Sequence, residues 1–235
     1  NLIRGMRDAV RVAITGKRFL DDAPYSVHLV AEERTEVALD AAMAGARDLA
    51  RSLGGQEVAD AIPTVMRAQP FGNMDMTLGP AGERWVPVHG LVSLSNGLDA
   101  MIRVQEYLQA QGERLVEHKI IYGILSMVVA PSVFVIEVLF YWPDAPSPLH
   151  KRIVSPDKLA QALHFSGNAS ARQVVAELRE GIAEVFATLG GGHFGAGRSL
   201  PYRKYRHARS YDLLQRLKCV VDPNGTLNPG VLGLD

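Results

Sequence analysis

The residues from Ile120 to Trp142, IIYGILSMVVAPSVFVIEVLFYW, decide the fold. They are apolar enough to raise the question of a membrane-spanning helix, which needs about 20 uninterrupted apolar residues. Pro131 and Ser132 interrupt the run, Glu137 charges its second half, and β-branched and aromatic side chains dominate it. Two strands, about Leu115 to Leu125 and Val133 to Trp142, joined near Ala130-Pro131-Ser132, explain the pattern better than a helix. Alternation sets Val133, Val135, Glu137, Leu139 and Tyr141 on one face of the second strand and Phe134, Ile136, Val138, Phe140 and Trp142 on the other. Glu137 is the single charge in that strand.

Upstream, Arg84 to Leu91 reads as a strand in which Pro87 favours an edge or a bulge. Ser95 or Asn96 then starts a helix with Leu98, Met101, Ile102, Gln105 and Leu108 along one face, ended by Gly112. Further upstream, Tyr25 to Ala31 alternates as a strand, and Thr35 caps a helix through Leu39, Met43, Ala46, Ala50 and Leu53. Gly54-Gly55 ends that helix, and Glu57 to Ile62 reads as a short returning strand. An opening helix carries Leu2, Ile3, Met6, Val10 and Ile14. Residues 63–83 are irregular but rich in Met66, Phe71, Met74 and Met76, greasy side chains suited to packing on the core or to covering a groove.

Downstream, residues 143–170 form a Pro-containing connection. A helix from Ala169 or Ser170 to Leu189 buries Val174, Val175, Leu178, Ile182, Val185 and Phe186. It delivers the chain to the turn Gly190-Gly191-Gly192-His193-Phe194-Gly195-Ala196-Gly197-Arg198. A basic, aromatic loop and a short amphipathic helix follow, the helix stopped at Asp222-Pro223-Asn224-Gly225 and succeeded by an Asn228-Pro229-Gly230 turn. The order β-α-β, loop, β-α-β-β predicts an α+β, ferredoxin-like fold: a mainly antiparallel sheet with helices on one face and a small C-terminal helical tail. Residues 1–190 form the main domain in this reading, and 191–235 pack on it as glycine turn and tail.

Composition narrows the function classes. The chain has 235 residues, 47% hydrophobic and 21% charged, which is ordinary for a globular protein with a real core. Lys plus Arg equals Asp plus Glu at 25 each. No basic field argues for nucleic acid, and the run Tyr202-Arg203-Lys204-Tyr205-Arg206-His207 alone reads as a solvated loop. The one cysteine, Cys219, excludes an internal disulfide and fits a reducing, cytoplasmic setting. No initiator Met or signal peptide opens the chain, so a larger parent protein is expected.

The ending from Leu217-Lys218 through Asp222-Pro223-x-Gly225 to Asn228-Pro229-Gly230, with Gly192-His193-x-Gly195-x-Gly197-Arg198 upstream, resembles the C-terminal signature of FAD-linked oxidases. These form the vanillyl-alcohol oxidase and p-cresol methylhydroxylase superfamily, which includes D-lactate and glycolate dehydrogenases. The likeness covers nearly the whole chain and is strongest from Arg84-Trp85-Val86-Pro87-Val88-His89-Gly90 onward. It implies a substrate-covering cap domain of an enzyme that oxidises a hydroxy acid or phenolic alcohol by passing hydride to flavin. The same likeness implies FAD held mainly by a preceding domain. That N-terminal FAD-binding domain is not found in this chain, since Gly195-x-Gly197 lacks the strand-turn-helix of a dinucleotide fingerprint. Some members carry a metal beside the substrate. Here Gly192 stands where a Glu would precede His193, and no His lies on or before the Val133–Trp142 strand, so no metal is expected.

His193, flanked by glycines, is the first candidate for the base that takes the hydroxyl proton; its alternative is an imidazole bonded to a turn carbonyl. Glu137 is the second catalytic candidate, a carboxylate whose protonation burial would shift. Arg198 could pair with a substrate carboxylate, and Tyr141, Tyr122 and His89 complete the substrate candidates. Gly195 and Asn228 are assigned to the cofactor by the resemblance. The competing reading, motivated by the greasy 63–83 loop and the apolar strands, is a flavin-free ferredoxin-like module for binding or dimerisation, as in a homodimer.

Overall fold

The computed structural model describes residues 25–58, 74–129, 131–195, 197–198 and 202–234. The chain divides into two compact units, Asn1–Gly72 and Asn73–Asp235. The expected opening helix, most of the Glu57–Ile62 strand, and Met66 and Phe71 lie outside the described residues.

In the first unit, α1 (Glu36–Ser52) begins at Thr35, whose hydroxyl accepts from the Ala38 amide at 3.2 Å. It ends in a Schellman turn: Gly54 N–H reaches the Arg51 carbonyl, Gly55 N–H reaches the Ala50 carbonyl, and Gly54 has φ +80°. Tyr25 to Ala31 is not a strand here. Its backbone joins no ladder among the described residues, and alternation without a pairing partner does not make a sheet.

The second unit is an α+β layer. Strands β1 (Arg84–Ser93), β2 (Ile121–Val129) and β3 (Val133–Trp142) form an antiparallel sheet in the order β1-β3-β2. The hairpin expected within Ile120–Trp142 is present, and no helix among the described residues is long and apolar enough to cross a membrane. The long helices α2 (Gly97–Ala110) and α6 (Ala169–Thr188) pack together and on one face of the sheet. Phe140, Ile136 and Val138 of β3 meet Val104 and Leu108 of α2 and Leu178, Ile182 and Phe186 of α6 there. Burying each such side chain contributes about 1.5–3 kcal/mol, which makes this face the core.

Three local expectations are corrected. The buried stripe of α2 is Gly97, Ala100, Val104 and Leu108, not one led by Leu98, which is 74% exposed, and Ile102. Small residues let the helix lie close to the sheet: a Cβ at Gly97 would stand 2.8 Å from the Phe134 ring. Gly112 does not end α2 but starts α3 (Gly112–Glu117), so β2 begins at Ile121 rather than Leu115. Leu115 is buried as a helical residue, and its carbonyl accepts from the Ile120 amide as the chain turns through Lys119 at φ +53°. The 143–170 connection holds two short helices, α4 (His150–Ile153) and α5 (Pro156–Ala162), with Ser155 capping the second. Leu78 packs with Val154 and Ala162 in a small second core.

Helix α6 starts where predicted because two polar groups hold its first turn. Asn168 accepts from the Ala171 amide, and the fully buried carboxylate of Asp144 accepts from the Asn168 amide at 2.8 Å and from the Trp142 indole at 3.2 Å. Arg172 and Arg84 lie 3.4 and 3.8 Å from the same carboxylate. The tail forms α7 (Ala208–Val221), closed by Asp222. The Asp222 carboxylate accepts from the amides of Thr226 and Leu227 and from Lys218, and these bonds hold it well below the usual carboxylate range. The Asp-Pro-x-Gly signature is thus a loop lock in this chain.

Candidate functional site

The sheet face away from α2 and α6 carries the candidate residues. Register places Trp85, Tyr141 and Ile121 in one row, Pro87, Leu139 and Gly123 in the next, then His89, Glu137 and Leu125, then Leu91, Val135 and Met127. His89 and Glu137 are therefore direct cross-strand partners, with Cβ atoms about 5 Å apart by sheet geometry. Glu137, Leu139 and Tyr141 are half-buried. Burial alone raises the Glu137 carboxyl above its ordinary range. Burial also raises the Tyr141 phenol, against the opposing pull of a hydrogen bond with Trp85. At the Tyr141 end the chain passes close, a Cβ at Gly79 falling 3.0 Å from its ring.

The glycine turn reaches this face from α6. Gly190, at φ +67°, and Gly191 form a Schellman closure, their amides on the Ala187 and Phe186 carbonyls. A side chain at Gly191 would collide with the Phe186 carbonyl at 2.8 Å and the Leu91 carbonyl at 3.0 Å. That close approach lets Gly192 exchange both backbone bonds with Leu91, at 2.8 and 2.9 Å. A ferredoxin-like sheet would carry a fourth strand beside β1; here one bridge stands in its place. Two residues further along, the free carbonyl of His89 is taken by the imidazole Nδ1 of His193. Phe194 stacks on the His89 ring at 3.7 Å, His193 meets it edge-on at 5.5 Å, and Tyr205 packs edge-on to His193 at 4.6 Å.

This geometry sets the tautomer of His193. Nδ1 donates to a carbonyl, so it carries the proton and Nε2 is the basic nitrogen. The Nε2 atoms of both His193 and His89 are buried without a partner. Burial keeps His193 below the ordinary histidine pKa, although the bond to the His89 carbonyl pulls the other way. Burial, then the neighbouring His193 and Arg179, bring His89 down to about 4. Burial thus favours the neutral form of both rings.

Of the sequence candidates, His193, His89, Glu137 and Tyr141 come together. Tyr122 does not join them: it pairs with Phe140, which places it on the helix-facing side of the sheet margin. Arg198 is exposed beside Gly230, where a Cβ would lie 3.8 Å from its Nε. Gly195 is half-buried one residue past Phe194. Asn228 is an exposed turn residue at φ +47° whose carbonyl accepts from Val231. No group of three or more His, Cys, Asp or Glu side chains among the described residues could hold a metal ion.

Arg179 was not singled out from the sequence. It lies on α6 with its Nε donating to the Pro87 carbonyl at 3.2 Å, and burial lowers its pKa. A signal existed: Val175, Arg179, Ile182 and Phe186 step by four, three and four, which sets a cation within an apolar stripe.

No protein-family model, curated protein or solved structure matches the chain.

Proposed function

We propose that this chain is the substrate-covering domain of an FAD-dependent oxidoreductase that oxidises a hydroxy acid or phenolic alcohol. The observation that carries the reading is the row of Glu137, His89 and His193. It joins a half-buried carboxylate to two imidazoles whose Nε2 atoms are unpaired, on the sheet face opposite α2 and α6. Bound flavin would supply the hydride acceptor. This chain would supply the rest: His193 Nε2 would take the hydroxyl proton, and the half-buried carboxyl of Glu137 and the phenol of Tyr141 would orient the substrate by hydrogen bonds. The flat, largely apolar rows around Trp85, Leu139 and Leu91 suit the ring of a flavin. In this reading the dinucleotide is held by a partner domain.

The test separates ring from dinucleotide. Lumiflavin, which has only the ring, should quench Trp85 fluorescence in the wild type and lose at least tenfold in affinity in Leu139→Asp. FAD should bind no tighter than lumiflavin. Stoichiometric FAD retained through purification would refute the assignment to a partner domain, and no response to lumiflavin would refute the cap reading altogether.

A second reading, a flavin-free binding or dimerisation module, is favoured by β2. Its residues carry no charge, and Ile121, Val128 and Val129 are exposed at an open sheet margin. Concentration-dependent sedimentation with no flavin response would favour it.

A further inference from the structure

We propose that helix α7 is a docking ridge for an amphipathic helix of an acidic partner protein. The ridge stands whatever cofactor the site on the sheet uses. The inner face of α7 holds Tyr211, which is buried with its hydroxyl donating to the Gly233 carbonyl at 2.6 Å. On the opposite face Leu213, Leu217 and Val220 step by four and three and so form one row. They are 59, 52 and 78% exposed, so most of the apolar surface of this row faces water. Tyr202, Arg206, Ser210 and Leu214 join Leu213 and Leu217 around a hollow of about 230 Å³, room for an aliphatic or aromatic side chain.

Charge gathers around the same row. From Tyr202 to Val221 the chain has six Lys and Arg against one Asp, in a sequence where the two kinds are equal at 25 each. Lys204 pairs with Glu184 and Lys218 with Asp222. Arg206, Arg209 and Arg216 are exposed, and no carboxylate of the described residues pairs with them. Arg209 precedes Leu213 by four residues and Arg216 precedes Val220 by four, so both border the row. Arg206 lies over the Tyr202 ring at 4.5 Å, beside the hollow that the two help to line. A helix that lays apolar side chains along the row, one of them in the hollow, and sets Asp or Glu against the three arginines meets every one of these features. A second copy would set like charges together. Nucleic acid would give the apolar row no partner, and a bilayer has no fixed side chain for the hollow.

The test titrates the full chain into a fluorescein-labelled synthetic helix, with Leu along one face and Glu beside it, and follows fluorescence anisotropy. The Glu helix should bind, and the same helix with Lys in place of Glu should bind at least tenfold more weakly. Leu213→Asp and the double variant Arg206→Gln with Arg209→Gln should each weaken the Glu helix at least tenfold. Val116→Asp, at an exposed position of α3, should change it less than twofold. Because Leu213 faces water, Leu213→Asp should keep the wild-type thermal midpoint; a midpoint lowered by several degrees would show that the row packs within the chain and would overturn the ridge. Vesicles of phosphatidylserine and phosphatidylcholine bound more tightly than the Glu helix, with the same dependence on Leu213, would put a membrane surface in the partner's place and overturn the proposal. So would self-association abolished by Leu213→Asp, equal binding of the Glu and Lys helices, or no binding of either.

Discussion

The two margins of the sheet are finished in opposite ways. Along β1 the outward carbonyls of Pro87, His89 and Leu91 are taken by a guanidinium, an imidazole and a glycine amide. Along β2 no backbone partner stands outward among the described residues, and Ile121, Leu125, Val128 and Val129 are exposed there, Val128 by 60%. At the first margin, two side chains and one amide take the place of a missing strand. A margin left as plain backbone among apolar side chains attracts another strand.

The contrast breaks most severely at its support. Phe186→Ala should cost about 3–5 kcal/mol in urea unfolding, because the ring is fully buried beneath Gly90. Gly90→Ala should cost about 1–3 kcal/mol, since its Cβ would lie 2.2 Å from the Phe186 ring. Combining it with Phe186→Leu should cost less than the sum of the two; strict additivity would show that the two positions are not in contact.

Acid should weaken the β1 margin next. His89 titrates at about 4 in the fold against about 6.5 unfolded. Between those values the unfolded state binds more protons, so stability is full above pH 6.5 and declines as pH falls through about 4. His193 and His150, both lowered mainly by burial, act in the same direction, whereas Glu137, raised by burial, acts oppositely. His89→Gln should flatten the slope of stability against pH in that window; an unchanged slope would refute the assignment. His193→Ala should cost about 1 kcal/mol for the lost bond to the His89 carbonyl. Smallest in stability is Val128→Lys, within about 0.5 kcal/mol. It should nonetheless reduce any self-association seen by sedimentation, while the β1 variants leave association unchanged.

Much of the layer was legible before any coordinates. The break at Pro131-Ser132 and the alternation around Glu137 gave the hairpin and the side of the sheet on which Glu137 and Tyr141 stand. The four-and-three spacing from Val174 to Phe186 gave α6 and its buried stripe. The stripe of α2 was misplaced because hydrophobicity favoured Leu98 and Ile102, whereas closeness of packing selected Gly97, Ala100 and Val104. The segment Tyr25–Ala31 shows the same limit, since alternation is a property of a chain and a strand is a property of a pair.

The sequence by itself determined the layer: local period, capping residues and glycine positions act within a few residues and need no distant partner. It also marked His193 by surrounding it with glycines. Tertiary structure alone decided that His193 Nδ1 would face the His89 carbonyl, that Arg179 Nε would reach the Pro87 carbonyl, and that Glu137 would lose water. The two bonds depend on residues 92 and 104 positions apart meeting at one strand margin, and burial and hydrogen-bond partners exist only once distant residues have met.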